Sequence, residues 1–355
     1  MRVSVNMPRM IDFLVGLLNI PSPTGYTEEA IAFVRQSLDS IGLSGLVLEK
    51  TIKGALVATL PGESSVGPRV LSAHVDTLGA MVREVKGNGR LLLTQLGGYA
   101  WNAIEGENVT VHCTRDGHRY RGTVQTVNPS VHTSEQMREG KRDEERMEVR
   151  LDARTSKREE TLALGIDVGD FVSFDPRVEV TDTGFIKTRH LDDKAGVAIL
   201  FGALLALKEA SLVPARRTTF LISNYEEVGH GATSGVPADV VEFLAVDMAA
   251  STTGEHQNSD EFSVGICAKD STGPYDLRMR RRLVQLCEVN GIPYKVDTYP
   301  RYGSDGSAFL EAGGAARVGV IGPGVDASHA YERTHRDSLE AATQLTVCYL
   351  LDKGS

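Results

Sequence analysis

Apolar residues recur along this chain with two periods. Residues 8–20 repeat at helical spacing. So does the stretch opened by Thr27-Glu28-Glu29, through Ile31, Phe33, Val34, Leu38 and Ile41. Pro21-Ser22-Pro23-Thr24-Gly25 separates these two predicted helices, and Gly42 stops the second. Residues 46–60 alternate in the manner of strands and turn at Pro61-Gly62. Residues 69–76, 218–222, 241–247, 262–267, 294–298 and 318–321 read as further strands, most of them apolar enough to be buried on both faces. Residues 197–210 are apolar nearly all round, which predicts a buried helix. Helices are also expected over 277–288, 308–311 and 339–351.

Between residues 78 and 188 the pattern shortens. Runs at 90–95, 108–113, 120–127, 147–151, 171–174 and 178–180 are β-like, separated by turn signals such as Asn88-Gly89, Asp116-Gly117 and Asp182-Thr183-Gly184. This predicts a small β domain over 78–188, inserted into an α/β domain formed by 1–77 and 189–355. The fold class is therefore α/β, a mixed sheet with helices on both faces plus a barrel-like insert. The charged run 134–146 is expected to be a mobile surface loop with no direct role.

Chemistry gathers where the predicted strands end. His74-Val75-Asp76 closes one, Glu226-Glu227 follows another, and Asp247 closes a third. A fourth empties through Gly322-Pro323-Gly324 toward His329 and His335. Ligands of open α/β sheets bind beyond the carboxyl ends of the strands. Adjacent carboxylates repel, and burying them is costly unless a cation or a proton compensates. One of the Glu pair binding a metal and the other serving as general base answers that problem; a solvated pair at a strand end is the plain alternative. In His74-Val75-Asp76 a carboxylate beside an imidazole can orient the ring toward a metal. Asp192 and Asp193 precede the buried helix, where one can cap and the other can bridge two metals. Imidazoles mixed with carboxylates suit Zn, Co or Mn, and a shared Asp suits two-metal hydrolysis.

Composition narrows the field. The chain has 355 residues and a net charge of −9, which argues against a broad nucleic-acid surface. Its four cysteines show no paired spacing, as expected for reduced thiols in the cytoplasm. No run reaches the roughly 20 apolar residues of a membrane span.

In its ordered motifs the chain resembles the M42 metallo-aminopeptidases, of the glutamyl, leucyl and tetrahedral type. The matching pieces are Ile20-Pro21-Ser22-Pro23-Thr24-Gly25 with Glu28, His74-Val75-Asp76, Leu96-Gly97-Gly98, Leu164-Gly165-Ile166-Asp167-Val168-Gly169-Asp170, Leu191-Asp192-Asp193-Lys194-Ala195-Gly196, Glu226-Glu227-Val228-Gly229, Val246-Asp247 and His329. The resemblance implies two divalent ions per subunit, with Asp192 bridging, His74 and Asp247 completing one site, and Glu227 and His329 the other. It implies Glu226 as the general base that activates the bridging water, with Asp76 orienting His74. It further implies that the insert is a dimerisation domain, that twelve subunits can build a tetrahedral shell, and that the substrates are short peptides.

The chain also departs from the family pattern. Thr77 follows His-x-Asp, Lys194 follows the paired aspartates, and His329 sits in Ser-His-Ala-Tyr-Glu, which leaves His335 as its competitor. His190 and His230 are expected beside the site, not in it. Arg301 and residues 303–307 are candidates for the substrate pocket. Two other readings are open: a metal-dependent deacylase of N-acyl amino acids or small modified peptides, and a shell-forming protein with a relict site.

Overall fold

The structure, a computed structural model, describes residues 3–251 and 256–354. Among these residues the chain builds one twelve-stranded sheet and one closed six-stranded barrel. Across the sheet the order is Val47–Lys50, Leu56–Leu60, Arg216–Ser223, Ser64–His74, Glu242–Val246, Arg317–Asp326, Glu332–His335, Phe185–Thr188 and Glu179–Val180. Ala249–Ser251 and Val264–Lys269 also pair with Arg317–Asp326, and Tyr294–Thr298 extends the sheet from Val264–Lys269.

The four central strands, Arg216–Ser223, Ser64–His74, Glu242–Val246 and Arg317–Asp326, run parallel. Their register places Ser223 beside His74, and Val246 beside Ile321. Three of the strands therefore end nearly level, at Ser223, His74 and Val246, while Arg317–Asp326 runs on past Ile321 beyond that edge. Side chains alternate between two apolar layers, as a period of 2 requires. Leu71, Phe220, Leu244 and Val246 join one core; Val70, Leu221, Phe243 and Ala245 join the other.

Helix Leu191–Glu209 fills the first layer, buried without a break from Leu191 to Leu207. Its all-round apolar sequence leaves it no solvent face. Helices Met7–Leu18 and Arg336–Leu351 pack on either side, with Phe13 stacked on Phe201 at 4.2 Å between ring centroids. Helix Asp305–Glu311 covers the opposite layer through Phe309, stacked on Phe243 at 4.9 Å. Helices thus occupy both faces.

The barrel closes in the order Gly79–Val85, Leu91–Leu96, Met147–Leu151, Arg119–Thr126, Asn108–His112 and Phe171–Phe174. Val82, Leu93, Val109, Val111, Val124, Val149 and Val172 fill its interior. Closure pairs every strand and leaves no free edge. The chain rejoins the large sheet earlier than the expected boundary at 188: Phe185–Thr188 already pairs with Glu332–His335. The charged run 134–146 includes the short helix Gln136–Glu139, and its Arg142 binds Glu105 at 2.7 Å and the Met137 carbonyl at 2.7 Å. The Glu105 pair ties the run to the insert, and the Met137 bond braces the run internally. No helix among the described residues is long and apolar enough to cross a membrane.

Two crossings link barrel and sheet. One leaves directly after His74-Val75-Asp76; the other returns after Phe174, the last residue of the barrel strands, into Glu179–Val180 of the large sheet.

Candidate metal centre

Strand Ser64–His74 delivers His74 to the sheet edge, almost fully buried. Its Nδ1 lies 2.8 Å from the Asp76 backbone carbonyl, leaving Nε2 to face Asp192 Oδ1 at 3.2 Å and Glu226 Oε2 at 3.5 Å. Asp76 meets the ring chiefly through its backbone: its carboxylate is 3.5 Å from Nδ1. That carboxylate is engaged elsewhere. It accepts the amides of Glu226 at 3.1 Å and Glu227 at 3.3 Å, and the Thr24 hydroxyl at 2.8 Å. The strand expected over 69–76 ends at His74, so Asp76 lies beyond it, where its carboxylate can turn to these amides.

Glu226 and Glu227 also lie past their strand, which stops at Ser223, in a 3-10 turn over Glu226–Val228. Gly229 follows at φ 81°, a left-handed conformation that suits glycine. Asp76 holds the turn at its amides. Lys53 binds the carbonyls of His230 and Gly231 beyond it, and His230 stacks on Tyr225 at 5.1 Å.

Asp192 sits at the start of the buried helix with non-helical backbone angles. Its two carboxylate oxygens face two imidazoles: Oδ1 is 3.2 Å from His74 Nε2, and Oδ2 is 3.3 Å from His329 Nε2. His329 also lies 3.7 Å from Glu227 Oε2. The barrel contributes here: His329 Nδ1 hydrogen bonds to the Gly98 carbonyl, and Gly97 has φ 77° with no room for a side chain against Leu78. Asp247 follows strand Glu242–Val246 at the same edge.

Two sets of donor atoms result, each lying within 4.8 Å of one another: His74, Asp193 and Asp247, and Asp192, Glu227 and His329. All six expected or neighbouring ligands are thus brought together. Asp193 is the addition, but both its oxygens already accept amides, from His74 at 3.2 Å and from Gly196 at 3.1 Å. His335 is not brought to the cluster. It bonds the Thr183 carbonyl at 2.9 Å and packs against Phe185 and Phe262. Neither His190 nor His230 is in either donor set.

The family profile of the M42 glutamyl aminopeptidases matches residues 54–345. YhfE of Bacillus subtilis (strain 168), which bears an aminopeptidase name, is 47% identical over 342 residues, covering 96% of this chain and 97% of its own. This chain belongs to the M42 peptidase family. The fold agrees. The aminopeptidase APDkam598 of the archaeon Desulfurococcus kamchatkensis superposes with a TM-score of 0.85 at 22% identity, covering 98% of this chain and 95% of its own. The TET1 peptidase of Pyrococcus horikoshii, which can assemble into a tetrahedron or a large octahedral shell, gives 0.82 at 22% identity over 97% and 99%. As an M42 member the chain is a hydrolase of peptides, in a metal-dependent family.

The electrostatics of this M42 site ask for cations. Burial, then neighbouring carboxylates, push Glu227 and Asp193 well above the usual range. Burial, then the Asp192 charge, raises Asp247 to about 8. Glu226 is also pushed well up, by burial first and then by Asp247 and Asp305 against the opposing pull of His74. Burial would also raise Asp192, but His329 and His74 hold it below the ordinary value. Burial would depress His329, yet Asp192 and Glu227 raise it to about 10. The Glu227 Oε1 atom is buried without a hydrogen-bond partner, and orphaned buried oxygens are rare. The residues fit divalent ions held by nitrogen and oxygen.

A cavity of about 840 Å³ opens over the centre. Asp192, Glu226, Glu227, Asp247 and His329 line its floor, and Arg301, Gly303, Ser304 and Ser307 part of its wall, as the sequence led us to expect. Reading the sequence missed Glu332 and the wall residue Tyr302. Nothing in the local sequence signals Glu332 as part of the site, since its partners are backbone amides.

Proposed function

We propose that this chain is an aminopeptidase that removes N-terminal residues from short peptides with two divalent ions, zinc first among them and Co or Mn as alternatives. The observation that carries this reading is the placement of Asp192 between two imidazoles, one at each carboxylate oxygen. Asp192 would bridge, His74 and Asp247 would complete one ion's ligands, and Glu227 and His329 the other's. We prefer Asp192 to Asp193 as the bridge because the oxygens of Asp193 are committed to amides.

Bound there, the ions would polarise the scissile carbonyl and make water acidic enough to attack near neutral pH. Glu226 reaches the cavity beside His74 and accepts the attacking water's proton, then returns it to the leaving amine. Its neighbour Glu227 is a ligand, which explains why two adjacent carboxylates serve different ends. Asp76 keeps both in place by holding their amides, and fixes the His74 tautomer through its backbone carbonyl.

The barrel is proposed as the dimerisation domain, and a homo-oligomer up to a tetrahedral dodecamer as the assembly. The TET1 relative, solved as a dodecamer, supports this. Four buried cysteines without disulfides support a cytoplasmic setting. The deciding experiment measures metal stoichiometry alongside cleavage of amino-acid anilides and N-acyl amino acids. Two ions per chain with turnover of free-amine substrates is the expected result; turnover of blocked substrates alone overturns it.

A further inference from the structure

Glu332 opens strand Glu332–His335 and is 2% exposed. Its Oε2 accepts the backbone amide of Asp192 at 3.1 Å, and its Oε1 accepts the backbone amide of His329 at 3.0 Å. These two residues come from distant parts of the chain, and their side chains meet at 3.3 Å. A single carboxylate therefore spans the backbones of both.

Both partners need holding. His329 has φ 65°, a left-handed conformation that is costly for a side chain other than glycine and persists only when its surroundings enforce it. Asp192 lies outside helical geometry at the head of its helix, where amides lack partners within the helix. No Lys or Arg among the described residues forms an ion pair with Glu332. Burying a carboxylate without a cation is expensive, yet holding two amides at once takes two acceptor oxygens. A neutral amide cannot replace it: a glutamine has one acceptor oxygen and one NH₂ donor, which would face the second amide donor to donor.

We infer that Glu332 is a positioning residue that sets the spacing of Asp192 and His329, and so the geometry with which the chain grips an ion between them. The inference rests on the dinuclear reading above. It adds a carboxylate that touches neither the ion nor the substrate, and acts through the backbone of two ligands. Outer partners of metal ligands typically affect ion affinity by about 10–100-fold.

The test compares E332Q with E332D in the full-length protein. E332Q removes the charge and one acceptor but keeps the shape. E332D keeps the charge but draws the oxygens back by one methylene. Chelator-stripped protein is titrated with Zn²⁺ by calorimetry and with Co²⁺ by visible absorption, and folding is followed by circular dichroism. Both variants should weaken one of two ion-binding steps by about 10–100-fold, alter the Co²⁺ spectrum, and lower kcat more than they raise KM. Wild-type ion affinity and spectrum in folded E332Q would overturn the inference. If E332Q does not fold, an unchanged Co²⁺ spectrum and affinity in E332D would overturn it. Ion binding is read without peptide, so a wild-type protein that binds two ions but cleaves none refutes the aminopeptidase reading and leaves this one to stand or fall by its own data. A wild-type protein that binds fewer than two ions refutes both.

Discussion

The barrel and the sheet edge both bury carboxylates, and they treat them differently. In the barrel, Glu148 is met by Lys86 and Arg90, and Glu107 by Arg177 and Arg189. Each buried acid has two guanidinium or ammonium partners, so its charge is balanced within the protein. At the sheet edge Asp192, Glu226, Glu227 and Asp247 converge with only imidazoles to offset them. Charge balanced inside the chain marks structure; charge left unbalanced marks a place for something the chain does not supply.

The sharpest way to break that comparison is E226Q. It should retain bound ions yet lower kcat by at least about 100-fold, the size expected for losing a general base. Activity near wild type with ions present would show that Glu226 is merely one more unbalanced acid. Chelation tests the edge as a whole. It should abolish peptide cleavage, and restoring Zn²⁺ should raise Tm in a concentration-dependent manner, as for any ligand bound only by the folded state. A Tm indifferent to added ions would mean that the acids at the edge are compensated in another way.

On the barrel side, E148Q should cost stability and nothing else. Losing a buried charged acceptor should cost about 2 kcal/mol in urea unfolding, with ion affinity unchanged. Altered ion binding in E148Q would blur the division between the two regions.

The effect that vanishes at neutral pH concerns His112, 1% exposed inside the barrel, with Nε2 on Ser173 at 2.8 Å. Burial, aided by the Arg119 charge, lowers its pKa to about 4. The unfolded chain then binds a proton below about pH 6.5 that the folded chain refuses until about pH 4. Stability should therefore be fully present above pH 6.5 and fall through that window, by at most about 1.4 kcal/mol per pH unit. H112Q should flatten this part of the profile; an unchanged slope would assign it to other groups.

The same division shows in how much could be read from the residues in advance. Strands that carry Phe220, Leu244 and Ile321 were legible because apolar runs bounded by turns follow local rules. So were the buried helix through Leu204 and the β character of the insert. His74, Asp192, Glu226, Glu227, Asp247 and His329 were legible as candidates because each stands at or just beyond the end of such a run, or just before one. Boundaries were less so: past the non-helical Asp192 and Asp193 the helix is already under way before Val197, and the chain leaves the barrel before residue 188.

Sequence alone determined the kinds of element, the residue types at their ends, and hence that nitrogen and oxygen donors would gather at one edge if the strands ran parallel. It preferred His329 to His335 by motif context alone, because the two differ in which long-range pairing each one follows. The tertiary structure separated them: one ring reaches Asp192, and the other packs on Phe185 and Phe262. It also turned the carboxylates of Asp76 and Glu332 toward backbone amides. Almost every residue has an amide, so no side-chain pattern marks those chosen; only the folded path of the chain decides which of them come within reach.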